Sequence, residues 1–193
     1  MNNVLRRKLR FLLVTGMPGA GKSIVTETAK EKGIPTYCMG DVIRYETIKK
    51  YGSITPENMR RTSKELREKY GDDIVARKTL EMIKEKEGVV VVDGVRSLVE
   101  VEVFKKAGES VEIIAVHASP KTRFRRILER KRPGDPKTWD EFVKRDMTEL
   151  SFGIGNVIAL ADHMIVNEDS IEETKKQVLR VFEKVFRNGE NIY

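Results

Sequence analysis

Apolar residues fall along the chain in five short runs, separated by longer stretches where they recur at helical spacing. The runs are RFLLVTG (10–16), IPTYCMG (34–40), GVVVVDG (88–94), VEIIAVHA (111–118) and HMIVNE (163–168), and each predicts a strand. The four valines at 89–92 do not alternate with polar residues, which is the pattern of a strand covered on both faces of a parallel sheet. Between the runs, the pattern predicts helices over 22–32, about 56–86, 97–107, 120–131, 138–150 and 170–187. Thr55-Pro56 places a cap before a first-turn proline, and Ser97 with Glu100 and Ser170 with Glu173 have capping-box spacing. Strands that alternate with helices imply an α/β fold: a five-stranded parallel sheet flanked by helices.

The stretch between the second and third strands, about 45–87, is long, helical and charged, and reads as an insert in a single domain with a core of 1–44 and 88–193. A length of 193 residues is enough for one well-buried core. The single cysteine, Cys38, excludes an intrachain disulfide and a thiolate zinc site, which points to a reducing, cytoplasmic setting. The opening RRKLRFLLVTG has too short an apolar run for a signal peptide or a membrane span, so no membrane association is expected. The formal charge of +7 suits either nucleic acid or polyphosphate. The chain shows no RNP-type motif, zinc finger or aromatic basic stripe, so nucleic acid is the less favoured partner. No pattern sets an oligomeric state.

Chemistry enters at TGMPGAGKS (15–23), which follows one strand run and opens a helical one. Gly16-x-x-x-x-Gly21-Lys22-Ser23 is a complete Walker A motif in strand–loop–helix context, so the fold class becomes a P-loop NTPase. The cradle is Gly16, Met17, Pro18, Gly19, Ala20, Gly21, Lys22, Ser23 and Ile24. Its N–H groups would surround phosphates, Lys22 would reach the outer ones, and Ser23 would ligate Mg²⁺ beside bound ATP. Asp93, at the end of the valine strand, is the candidate second metal carboxylate, acting through water. No Asn-Lys-x-Asp guanine reader occurs, and Asp93-Gly94-Val95-Arg96 is not an Asp-x-x-Gly switch, which argues against a GTPase. Motor and AAA-type modules are expected to need a longer chain. A small-molecule kinase remains.

Further segments carry a family resemblance. CMGDVIRYE (38–46) resembles the Gly-Asp-x-x-Arg segment of adenylate kinases, and VVVVDGVRS (89–97) their Asp-Gly-Phe-Pro-Arg segment, one residue shorter. ADHMIVNEDSIEETKKQV is similar to the last strand, loop and helix of dephospho-CoA kinases. Over nearly its whole length, the sequence resembles the archaeal adenylate-kinase-related family, also described as dephospho-CoA-kinase-like. The resemblance implies a nucleoside-monophosphate-kinase fold with an acceptor-binding insert and a short lid at about 131–140. Arg44 and Arg96 would then grip the acceptor's phosphate, with Asp41 beside them. Arg126 and Arg130 would bound the lid and act in catalysis with Lys22 and Asp93. Arg132 and Arg145 would belong to the lid, and Arg123, on the same helix side as Arg126 and Arg130, competes with that pair. Arg60, Arg61 and Arg67 read as a charged surface of the insert, with contact to a second anion as the alternative, and the Gly-x-Gly at 153–155 reads as a hinge between helices.

The acceptor turns on a proton. A nucleotide phosphate is already anionic and needs no base, whereas a sugar hydroxyl benefits from a carboxylate within reach. The paired arginines favour a monophosphate such as AMP, and the C-terminal resemblance favours dephospho-CoA with Asp41 as base. A nucleotide sensor or RNA-associated ATPase without small-molecule transfer is the reading from a different class.

Overall fold

The computed structural model describes residues 8–190, with side chains described through Arg187. Five parallel strands form one sheet in the order β2-β3-β1-β4-β5. They are β1 (Lys8–Thr15), β2 (Thr36–Cys38), β3 (Glu87–Asp93), β4 (Ser110–His117) and β5 (His163–Val166). β1 lies at the centre, with Val14 paired to Asp93 on one side and Thr15 to Ala115 on the other.

The period-two side-chain alternation of β1 feeds two cores. Leu9, Phe11 and Leu13 join a cluster with Val90, Val92, Val101 and Phe104, while Leu12 and Val14 join Val25, Ile114, Phe182 and Val185 on the opposite face. Val90, Val91 and Val92 have no exposed surface, as the unbroken valine run requires. The second face is covered by α1 (Ser23–Glu31) and α9 (Ile171–Glu190), which pack on each other. The first is covered by α5 (Leu98–Ala107) together with helices of the β2–β3 insert.

That insert departs from the sequence reading. The predicted second strand stops at Cys38, and α2 (Met39–Tyr51) begins at once, so Gly40, Asp41 and Arg44 lie on a helix. Met39, Val42, Ile43 and Thr47 are its buried positions, a helical spacing that overrides the extended reading of the apolar run. The single helix expected over 56–86 is two: α3 (Pro56–Tyr70) and α4 (Ile74–Met82), broken at Gly71 with φ +97°. Thr55 caps α3 as expected, its hydroxyl accepting from the Asn58 N–H at 3.1 Å. Ile74, Val75, Ala76 and Ile83 are buried in the sheet's first core, so the insert shares that core with the strands.

After β4 come α6 (Pro120–Arg130), α7 (Trp139–Ser151) and α8 (Ile154–Ala159). Gly153, with φ +94°, separates α7 from α8, at the position read as a junction. Among the described residues, no helix is long and apolar enough to cross a membrane.

Candidate functional site

The C-terminal ends of β1 and β3 lie side by side where the crossover from β1 to β2 and the crossover from β3 to β4 run in opposite directions, the crevice in which open α/β sheets bind ligands. The loop from Gly16 to Lys22 lies across this point. A Cβ on Gly16 would stand 2.3 Å from the Val116 carbonyl oxygen, and one on Gly21 would stand 2.1 Å from Asn167 Nδ2. Both positions also have positive φ, +146° and +95°, so conformation favours glycine at each, and at Gly16 the backbone contact requires it as well. No side chain caps α1, and no acidic residue stands in its first turn. Its Ile24 and Val25 N–H groups bond back to the Gly21 and Lys22 carbonyls, both at 3.0 Å, while the positive end of its dipole is left for an external anion. Lys22 folds back over the loop, its Nζ donating to the Gly16 carbonyl at 2.7 Å. Burial pushes its pKa down, against the opposing pull of Asp93.

Asp93 stands at the end of β3, and its Oδ1 is buried without a hydrogen-bond donor among the described residues. Burial raises its pKa, opposed by the charges of Lys22 and Arg96. A buried carboxylate oxygen without a partner is costly unless something positive meets it. The exposed hydroxyl of Ser23 starts α1 at the other side of the loop. Oxygen donors of this kind fit Mg²⁺, which takes one or two protein ligands and shares the rest of its shell with phosphate and water.

The expected acceptor residues lie on the β2–β3 side. Arg44 pairs with Asp41 one turn away on α2, both about half exposed. Arg96 follows β3 in a loop fixed by two hydrogen bonds to β1: the Thr15 hydroxyl donates to the Val95 carbonyl at 2.8 Å, and the Gly94 N–H donates to the Val14 carbonyl at 3.0 Å. These bonds hold the loop although it lacks the Phe-Pro spacer. The Arg96 guanidinium meets Glu149 of α7 at 3.2 Å, and its backbone N–H donates to Glu100 at 2.8 Å. Glu100 is 1% exposed and is held at 3.2 Å by Arg67 from α3. Arg67 therefore does not lie on the solvated surface expected of it, but ties the insert to the loop that carries Arg96.

The α6–α7 side holds the other arginines. Arg130 makes a bidentate contact with Asp135, both distances 2.7 Å, and Arg145 reaches the same carboxylate at 3.0 Å. The Arg132 backbone N–H joins them at 3.2 Å. Hydrogen bonds from Arg130 and Arg145 hold the Asp135 carboxyl down to about 2, against the effect of burial. Arg126 turns toward β5 and donates to the Asn167 carbonyl at 2.9 Å. Arg123, in contrast, is a strut: it pairs with Asp146 at 2.8 and 2.5 Å and donates to the carbonyls of Ala118 and Pro18. Asn167 braces the loop from its other flank, donating to the Ala20 carbonyl at 2.8 Å while its own side-chain oxygen accepts from Thr174.

Sequence reading missed Asn167, Asp135, Asp146 and Glu149. Each acts on a partner distant in sequence or in the turn of a loop, and no local motif marks it. The structure brings Lys22, Asp93, Arg96, Arg130 and Glu149 close enough for their charges to act on the Lys22 amine.

A family model described as an AAA domain matches residues 15–143, so chain length does not exclude that family. A UPF0200 protein from Staphylothermus marinus is 66% identical over 178 residues, covering 92% of this chain and 94% of the relative. Another, from Pyrococcus furiosus, is 47% identical over 181 residues, covering 91% of this chain and 97% of its own. The chain belongs to the UPF0200 family. Among solved structures, this UPF0200 chain is similar to shikimate kinase from Bacteroides thetaiotaomicron, with a TM-score of 0.59 at 20% identity, covering 90% of this chain and 98% of that one. Shikimate kinase from Acinetobacter baumannii, solved in complex with shikimate, gives a TM-score of 0.57 at 15% identity over 95% of each chain. At these identities the likeness establishes the fold: an α/β P-loop kinase-like fold with a five-stranded parallel sheet.

Proposed function

We propose that the chain is an ATP-dependent phosphotransferase that moves the terminal phosphoryl group of ATP onto a small nucleotide, with a monophosphate such as AMP as acceptor. The observation that carries this reading is the placement of guanidinium groups on both sides of the Lys22–Asp93 centre. Arg44 and Arg96 follow β2 and β3, while Arg130 and Arg145 lie on the helices that follow β4. A nucleotide switch needs only the donor half of such a cleft; transfer between two phosphorylated substrates needs both.

In this reading the loop N–H groups and the α1 dipole bind the donor's phosphates, and Lys22 leaves the Gly16 carbonyl to reach them. Ser23 and Asp93 would hold Mg²⁺, which supplies charge neutralisation on the donor's phosphate oxygens. Arg44 and Arg96 orient the acceptor phosphate, because guanidinium forks match its oxygens bidentately. Arg130 and Arg145, with Arg132 in the connecting loop, form the short lid and stabilise charge on the transferring group. Arg126, beside Asn167, borders the donor from the β5 side.

The position of Asp41 in the first turn of α2, close enough to act electrostatically on Asp93, supports a second reading. There it would accept the proton of a sugar hydroxyl, as dephospho-CoA would present. Incubation with Mg-ATP and a panel of AMP, other monophosphates and dephospho-CoA tests both. Acceptor-dependent ADP with a monophosphate supports the first, and ADP only with dephospho-CoA supports the second. Absence of acceptor-dependent ADP throughout rejects transfer to these acceptors. Asp41→Asn should cost roughly a hundredfold or more in turnover with a hydroxyl acceptor, and at most several-fold with a phosphate. Equal losses with both would remove Asp41 as a base.

A further inference from the structure

The arginines on the α6–α7 side carry an anion supplied by the chain itself. Asp135 lies in the connection between α6 and α7, yet its side chain is only 8% exposed. Its two carboxylate oxygens accept from Arg130 Nε and Nη2, Arg145 Nη1 and the Arg132 backbone N–H. Two guanidinium groups and a backbone N–H converging on one planar anion form the donor set that a phosphoryl group also uses. Arg132 lies in the same loop, and the Arg130 charge is felt at Lys22, as is the opposing charge of Glu149.

We propose that Asp135 is an internal competitor for the donor's terminal phosphoryl group, keeping Arg130 and Arg145 paired until that group displaces its carboxylate. The inference rests on the reading above only in requiring that the loop at Gly16–Ser23 binds a nucleoside triphosphate. Without an occupant, two guanidinium groups in one partly buried site would repel each other, and the carboxylate removes that repulsion. A terminal phosphoryl group bears more negative charge than a carboxylate, so it can take the same donors while Asp135 swings to solvent. The exchange also limits how tightly the triphosphate is held, because each N–H···phosphate bond formed replaces an N–H···carboxylate bond broken.

The test is calorimetric binding of a non-hydrolysable ATP analogue and of ADP, each with Mg²⁺, to the wild-type chain and to Asp135→Asn. Asparagine keeps the size and one acceptor oxygen but removes the charge. The variant should bind the analogue about tenfold more tightly, the scale of one charge-assisted hydrogen-bond exchange. Its affinity for ADP, which lacks the terminal group, should be unchanged. Equal or weaker analogue binding would overturn the proposal and make Asp135 a scaffold for the arginines. A parallel gain for ADP would overturn it too, since it would signal a general charge effect. Asp135→Ser, with a shorter neutral side chain, should reproduce the selective gain and stands in if the asparagine variant fails to fold. Binding that behaves as expected without transfer to any acceptor would leave this inference standing while the kinase reading falls.

Discussion

Under the proposed function, single residues divide into those that would meet phosphate and those that hold them in place. Lys22→Ala removes a preorganised charge from the loop and should lower turnover by roughly two to three orders of magnitude, with little change in stability. Near-normal steady-state rates would take Lys22 out of the site. Arg123→Ala acts differently. It leaves Asp146 without its partner in a largely buried position and frees the Pro18 carbonyl, so stability should fall by about 3 kcal/mol in a denaturant titration. A loss of turnover with unchanged stability would instead put Arg123 among the phosphate ligands. The depressed pKa of Asp135 carries a pH prediction of its own. The stability its ionised form contributes is fully present above the ordinary aspartate value of about 4 and is lost as pH falls through about 2. Carboxyl NMR should therefore show its midpoint near 2, whereas a midpoint near 4 would mean that the pair with Arg130 and Arg145 is open in solution.

At the level of elements, β1 and the loop after it were legible because pattern and motif agree: a buried run, three glycines and a lysine at fixed spacing. The valine run of β3 was equally plain, and it ends on Asp93, whose charge acts on Lys22. The insert was harder. α2 begins directly after Cys38, without a capping side chain, so nothing local separates it from the apolar run before it. Gly71 does mark the break between α3 and α4, but it sits within a densely charged stretch where weak periodicity hides it. α7 was legible as a helix, yet its role was not. Phe142 anchors it, while Arg145 reaches Asp135 in the preceding loop, Asp146 holds Arg123 of α6, and Glu149 meets Arg96 after β3. The Asp146 and Glu149 contacts join residues far apart in the chain, and no short window of sequence contains both ends. The loop itself makes a sharp demand. Gly16→Ala would set a Cβ against the fixed Val116 carbonyl and should cost about 2 kcal/mol or more, read as a lowered thermal midpoint. An unchanged midpoint would show that the loop can move away from β4.

For the molecule as a whole, sheet topology does most of the work of assembling the site. With β1 central, the segments that follow β2 and β3 fall on one side of the phosphate loop and those that follow β4 on the other. One short motif thus acquires two arginine-bearing flanks, drawn from residues 41–149. The formal charge of +7 is in keeping with a cleft for two anionic substrates, and in the structure Arg44, Arg96, Arg130 and Arg145 are each balanced by a carboxylate of the same chain. The most direct test follows radioactive phosphate from ATP labelled at its terminal position, in the presence of Mg²⁺ and AMP. A phosphotransferase moves the label into ADP formed from AMP, and Lys22→Ala slows that transfer by roughly two to three orders of magnitude. Label released only as inorganic phosphate, at a rate indifferent to every acceptor offered, would contradict it.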